Sequence, residues 1–108
     1  MNKYTELSDF EINKKVAERL FLKFTDSWSV ILVDGESFNP CKNPADAMPI
    51  IIENKICTAF DVFAEEHDGG NWVASPAYGF ASERTRNNNL YRAAMELFLL
   101  LKDVENEG

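Results

Sequence analysis

Length, composition and charge place this chain among globular proteins of a single domain. It has 108 residues, of which 45% are hydrophobic and 12% aromatic, which is enough for one hydrophobic core and too little for two independent ones. The formal net charge of −7 disfavours direct nucleic-acid binding, because phosphates would be repelled. The apolar runs are all far shorter than the roughly 20 residues of a membrane span, so we expect no membrane protein.

The N-terminus and the cysteines indicate a cytoplasmic location. The N-terminal residues lack the basic and then apolar pattern of a secretory signal. Cys41 and Cys57 fit no CxxC spacing, so we expect reduced thiols with structural roles in a reducing compartment.

The first helix has the clearest start in the chain. Ser8 and Glu11 stand at the spacing of a capping box, which predicts a helix that begins at Asp9. Apolar residues then recur on one arc of the helical wheel. Asn13 falls within that arc, where an unpaired amide would cost about 1–3 kcal/mol. We expect Asn13 to pair with the backbone of a neighbouring loop, and the alternative is a ligand-facing role.

A strand and a turn are predicted after this helix. Residues 28–33 are β-branched and apolar and run up to Asp34-Gly35, a turn dipeptide. Residues 36–42 follow as a loop or a short second strand.

The second helix has a clear start and an unusual interior. Asn43 is a good N-cap and Pro44 suits the first helical position. Pro49 removes a backbone donor and clashes with the preceding turn, so we expect a short helix, kinked or broken near Met48, that finishes around Asn54.

A hairpin and a long connector are predicted next. Residues 56–64 alternate as a strand does, residues 65–70 form a polar loop with two glycines, and residues 71–75 supply a short return strand. Residues 78–89 show no period and are predicted to be a connector, which is where function is often found.

The last helix is predicted over residues 90–104 and follows an asparagine cap. Its core face carries Leu90, Ala94, Leu97, Phe98 and Leu101. Its opposite side carries Arg92, Glu96 and Asp103. Leu99 lies on that side too and Met95 lies nearby, so both are candidates for contact with another part of the fold or with a second subunit. The protein is expected to be a monomer or a homodimer.

The sequence contains no recognised catalytic or cofactor-binding pattern. His67 is the sole histidine, and its acidic neighbours in one loop cannot all converge on one metal ion. No serine lies in a nucleophile elbow, and Gly69-Gly70 alone makes no phosphate cradle. We therefore assign no catalytic residue, no metal ligand and no cofactor.

One segment, residues 84–89, is locally basic and rich in hydrogen-bond donors. It leads into the N-terminus of the last helix, where backbone amides favour anions, and is the best candidate ligand site. The alternative is that its asparagines form turns and caps while its arginines pair with the protein's own carboxylates. The candidate binding residues are Asn13, Trp72, Tyr78, Arg84, Arg86, Asn88 and Asn89.

Three segments together resemble one family. They are residues 7–13 (LSDFEIN), 43–56 (NPADAMPIIIENKI) and 92–95 (RAAM), which are similar to motifs of the NinX-like proteins, small uncharacterised proteins of tailed bacteriophages and of prophages in enteric bacteria. The resemblance covers most of the chain, whereas the loop of residues 63–79 is idiosyncratic. It implies a phage or prophage accessory protein in the cytoplasm of the bacterial host, and it carries over no activity or catalytic residue.

These observations predict one α+β domain over residues 1–108. A small, mainly antiparallel sheet is expected to pack against two longer helices, with one short kinked helix beside them. The leading hypothesis for function is a non-enzymatic accessory protein that binds a host or phage protein. The surface expected to carry this binding comprises Trp28, Trp72, Tyr78, Phe80 and residues 84–89.

Two other functions stay open at this point. A small enzyme or nucleotide-binding domain would need a cleft lined by Asp46, Glu53, Asp61, Arg84 and Arg86. An acidic mimic that inhibits a DNA-binding protein would need carboxylates arranged in a regular stripe.

Overall fold

The computed structural model describes residues 2–76 and 83–107 and confirms the α+β class. These residues form the helices α1 (Asp9–Arg19), α2 (Pro44–Glu53) and α3 (Leu90–Glu107). The strands are β1 (Phe24–Ser27), β2 (Val30–Val33), β3 (Glu36–Phe38), β4 (Ile56–Phe60), β5 (Trp72–Pro76) and β6 (Thr85–Asn87). They build two antiparallel sheets of three strands, the first in the order β1-β2-β3 and the second in the order β4-β5-β6. A 3-10 turn spans Glu66–Asp68.

Helix α1 begins at Asp9, as predicted. The amide of Glu11 donates to Ser8 Oγ at 3.2 Å, and the amide of Ser8 donates to Glu11 Oε1 at 3.4 Å, so both halves of the capping box are present. The buried face of α1 comprises Ile12, Asn13, Val16 and Ala17.

Two tight turns join the strands of the first sheet. Trp28 and Ser29 connect β1 to β2 with φ values of 51° and 66°, and Asp34 and Gly35 connect β2 to β3 with φ values of 53° and 81°. Paired positive φ values match the twist of hairpin strands. The predicted strand over residues 28–33 is therefore wrong at its start, since β2 begins at Val30, and β1 was not predicted.

Helix α2 runs without interruption through its internal proline. Asn43 accepts a hydrogen bond from the amide of Ala45 at 3.0 Å, which confirms the predicted cap. The helix is short and ends at Glu53 with Asn54 as its C-cap, as predicted, but the alternative of a break near Met48 is wrong. The donor that Pro49 lacks would have bonded the carbonyl of Ala45, and because both residues are exposed, water can reach that carbonyl.

The second sheet contains the predicted hairpin and one strand that was not predicted. Strands β4 and β5 pair with Phe60 opposite Trp72, so β4 ends four residues earlier than expected. Strand β6 lies within the segment predicted to be a connector and pairs with β5. A Cβ atom on Gly70 would lie 2.2 Å from the carbonyl carbon of Asn87, so the turn before β5 packs directly on β6.

Helix α3 is the centre of the core, because it contacts α1, α2 and all three strands of the second sheet. Its residues 93–99 are all buried. Arg92 and Glu96, which the helical wheel placed opposite the core face, are 6% and 1% exposed, so that side of the helix is covered by the protein as well. Met95 and Leu99 are fully buried, so they contact the protein's own core and are not available to a second subunit. A helical wheel assumes one face in water, and this helix is surrounded.

Candidate functional site

The buried ion pair of α3 fixes the N-terminal segment. Arg92 Nη1 lies 2.8 Å from Asp9 Oδ1, and Arg92 Nε lies 2.7 Å from Glu96 Oε2. Arg92 Nη2 also donates to the carbonyl oxygens of Tyr4 at 3.0 Å and Leu7 at 2.7 Å. Burial acts to lower the pKa of Arg92, but the bonds to both carboxylates outweigh it and raise that pKa. All these groups are satisfied, so the network is structural.

Asn13 is also engaged in structural contacts. Its Nδ2 donates to Asn39 Oδ1 at 2.8 Å, and its Oδ1 accepts from the amide of Cys41 at 3.1 Å. The predicted pairing with the backbone of a neighbouring loop is confirmed. Burial, followed by the charge of Asp9, raises the pKa of the Cys41 thiol to about 12, which makes Cys41 unreactive, as its predicted structural role requires.

The carboxylates of the predicted enzyme cleft have separate surroundings. Asp46 Oδ2 accepts from the amide of Asn39 at 2.9 Å near the start of α2, whereas Glu53 is exposed at the end of that helix. Asp61 pairs with Arg86 beside the second sheet. Across residues 2–76 and 83–107, no three His, Cys, Asp or Glu side chains lie close enough together to hold a metal ion.

Four aspartates pair with basic side chains of the protein itself. The pairs lie on different elements, and each removes a carboxylate from the negative surface that a DNA-mimicking stripe would need. They are Asp9–Arg92, Asp26–Lys14, Asp61–Arg86 and Asp103–Lys3.

The other predicted binding residues are divided among several places. Trp72 and Arg86 lie in neighbouring strands, but Arg86 is opposite Val73, so Trp72 and Arg86 point to opposite faces of the sheet. Asn89 caps α3 by accepting from the amide of Tyr91 at 2.8 Å. Arg84 and Asn88 are exposed on either side of β6. Trp28 is 96% exposed in the turn between β1 and β2. Tyr78 and Phe80 lie outside the described residues.

A group of exposed apolar side chains lies where β4 ends and β5 begins. Phe60, Val62 and Phe63 are 52%, 68% and 88% exposed. The ring of Trp72, which is partly exposed, meets Phe60 edge to face with centroids 5.1 Å apart at 74°, a favourable aromatic geometry. We call these four residues the aromatic surface.

Asp61 holds the backbone of the aromatic surface in place. Its Oδ1 accepts from the amide of Phe63 at 3.0 Å, and its Oδ2 lies 3.0 Å from Arg86 Nη2. The amide of Asp61 donates to the carbonyl of Asn71 at 2.7 Å, and Asn71 Nδ2 donates back to the carbonyl of Asp61 at 3.0 Å. The bond from the Phe63 amide, then Arg86, lowers the pKa of Asp61. The exposed residues are thus presented by an ordered turn.

The residue types of the aromatic surface are ones that also occur at the centre of protein interfaces. Large apolar patches rimmed by polar groups mark such sites, and aromatic and arginine residues are enriched in the central contacts. The predicted strand over residues 56–64 missed this surface, because alternation places Phe60 and Val62 on a packed face. The residue that could have predicted a turn here is Asp61, since an aspartate side chain can accept a hydrogen bond from the amide two residues later and so form a local turn.

Comparison with known proteins identifies no relative. No family model matches the chain, and neither does any curated protein or any solved structure. None of the helices that the structure describes is long and apolar enough to span a membrane. The resemblance to NinX-like proteins stays a prediction.

Proposed function

We propose that this protein is a non-enzymatic binding module that contacts a host or phage protein through the aromatic surface. The observation that carries the proposal is the exposure of Val62 and Phe63 in a turn fixed by Asp61. Fully burying such a side chain is worth about 1.5–3 kcal/mol. A partner that covers both side chains gains this energy without first having to order the turn.

A protein partner fits this surface better than a nucleic acid. The net charge of −7 opposes a polyanion, whereas an apolar centre with a polar rim is the usual anatomy of a protein interface. Arg86 and Asn71, which hold Asp61 in the turn, are partly exposed.

The phage or prophage setting of the proposal is supported by the resemblance of residues 7–13, 43–56 and 92–95 to NinX-like proteins. The loop of residues 63–79, which the resemblance does not cover, begins at the aromatic surface and includes Trp72. We expect the partner to be particular to this protein, because related chains would differ in this loop. The bacterial cytoplasm is the proposed place of contact.

A comparison of matched surface variants tests the proposal. The double variant Val62→Ser with Phe63→Ser removes the apolar contact, and Ile52→Ser on α2 is the control because Ile52 is 65% exposed. Tagged proteins would be used for affinity capture from lysate of infected host cells, followed by mass spectrometry. We expect one partner to be captured by wild type and control and lost with the double variant.

Equal capture of the same partners by all three proteins would contradict the proposal. Thermal unfolding serves as the folding control. Because the substituted side chains are exposed, we expect the free energies of unfolding of the three proteins to agree within about 0.5 kcal/mol.

A further inference from the structure

Strand β6 has an open edge with a groove beside it. It pairs with β5 on one side, and among the described residues no backbone hydrogen bond reaches its other side. A cavity of about 190 Å³ lies against the strand, and four consecutive residues, 84–87, form one wall. The remaining lining residues are Asn2, Thr5, Asp68 and Gly69.

Arg84 gives this groove an available positive charge. Its side chain is exposed, and the ion pairs of the described residues engage Arg19, Arg86 and Arg92 but not Arg84. Asp68 is the acidic residue of the groove, and its Oδ2 already accepts from the amide of Glu65 at 2.8 Å. In a protein of net charge −7, an arginine that no described carboxylate neutralises is available to an acidic ligand.

The open edge is fixed in its position from two sides. Thr85 Oγ1 donates to the carbonyl of Ala93 at 2.5 Å, which ties β6 to α3. Gly70 packs against the backbone of Asn87 so closely that a Cβ would lie 2.2 Å away. A ligand that pairs with this edge does not have to order it first.

We propose that the groove binds an extended acidic peptide segment of a partner protein, which adds to the second sheet as a fourth strand at β6. Backbone hydrogen bonds to an edge strand provide affinity in this mode of recognition, and the side chains provide specificity. A carboxylate of the segment pairs with Arg84, and a basic segment is repelled by it. The volume of about 190 Å³ is below the roughly 300–1,000 Å³ of small-molecule sites, which suits a short strand.

The test uses a defined probe and its matched analogues. The probe is the peptide acetyl-Val-Glu-Val-Glu-Val-amide, titrated into the full-length ¹⁵N-labelled protein and followed by NMR. We expect saturable shifts at the amides of residues 84–88. An analogue with N-methyl groups on alternate amides, which cannot pair along the edge, should bind at least about tenfold more weakly, since each lost hydrogen bond weakens the complex.

Charge-reversed variants test the role of Arg84. Arg84→Glu should weaken binding of the acidic probe at least about tenfold, because it replaces an attraction with a repulsion. Lys23→Glu makes the same charge change at an exposed site beside the first sheet and should leave binding unchanged. A probe with lysine in place of glutamate should bind wild type less tightly than the acidic probe does.

Three results would overturn the inference. These are absence of saturable binding, binding that N-methylation leaves unchanged, and equal shifts at residues 84–88 from acetate alone, which would indicate an anion site without strand pairing. The inference is independent of the aromatic surface. Val62→Ser with Phe63→Ser should bind the acidic probe as wild type does, so failure of either proposal can be recognised separately.

Discussion

The two sheets of this protein depend on different kinds of contact. The strands of the first sheet follow one another through two tight turns, and β1 is exposed over most of its length. The strands of the second sheet are joined by longer segments and lie against α3, where Ala74 and Thr85 are buried. The first sheet is therefore determined by its turns and the second by contacts between distant parts of the chain. Substitutions in the two sheets should differ accordingly.

The largest effect is expected at the buried ion pair of α3, the helix that lies against the second sheet. The Glu96 side chain is 1% exposed, and Arg92→Leu would remove the guanidinium group that pairs with it. Breaking a buried pair in this way costs about 3–5 kcal/mol. Urea unfolding followed by circular dichroism measures the loss. Arg19→Leu is the control, because Arg19 is 33% exposed and should cost about 1 kcal/mol or less; equal losses would contradict the prediction.

Two glycines allow the sheets to be compared by the same substitution. Gly70→Ala, in the turn before β5 of the second sheet, forces a Cβ against the backbone of Asn87 at a φ of 142°, and we expect a loss of about 3 kcal/mol, chiefly from this overpacking. Gly35→Ala in the first sheet has open space around its Cβ and a φ of 81°, so only the backbone strain of about 1 kcal/mol remains. The same unfolding assay measures both. A larger loss for Gly35→Ala would reverse the comparison.

The first sheet should become more stable when its strained turn is repaired. Trp28 and Ser29 occupy positive φ, where Asn-Gly is the favoured pair. The double variant Trp28→Asn with Ser29→Gly should raise the free energy of unfolding by about 1 kcal/mol, because Trp28 is 96% exposed and little packing is lost. A lower melting temperature would show that the tryptophan contributes packing to the sheet.

The smallest effect concerns the pKa values of Asp26, in the first sheet, and Asp61, beside the second. The hydrogen bond and charge of Lys14 lower the pKa of Asp26, whereas the amide of Phe63 and then Arg86 lower the pKa of Asp61. Each carboxylate therefore stabilises the folded state at pH values above the unfolded pKa of about 3.9. This stabilisation is lost as the pH falls through the lower pKa of the folded state.

Salt should change the pKa values of Asp26 and Asp61 by different amounts. About 0.5 M NaCl screens the exposed Lys14 pair and should raise the pKa of Asp26 more than that of Asp61, whose first cause is a backbone hydrogen bond. NMR titration of the carboxyl carbons measures both values. Equal responses to salt would contradict the assigned causes.

Local chemistry explains which parts of the fold could be predicted. The caps at Ser8 and Asn43 act within a few residues, so the sequence alone predicts where both helices begin. The turn at Trp28 was missed because the residue type opposes the backbone conformation that it adopts. Strand β6 has the sequence Thr-Arg-Asn, which has little strand preference overall, and its pairing with β5 makes it a strand.

The candidate site was predictable only in part. Arg84, Arg86 and Trp72 were recognised by residue type, but the sequence does not reveal that Arg86 is paired through Asp61 to the turn that carries Phe63. Those contacts join the end of β4 to β6. Likewise the helical wheel placed Arg92 only opposite the core face, since nothing near it in the chain indicates the carbonyl oxygens that it binds.

The bonds from Arg92 to the N-terminal segment also bear on how the protein is made. Arg92 and the carbonyl of Tyr4 are separated by 88 positions, so Tyr4 acquires this partner only after the chain as far as Arg92 has been synthesised. Helix α3, which covers the second sheet and α1, emerges equally late. The elements that precede α3 must stay without this central helix until it has been synthesised, and their apolar surfaces are exposed to chaperones during that time.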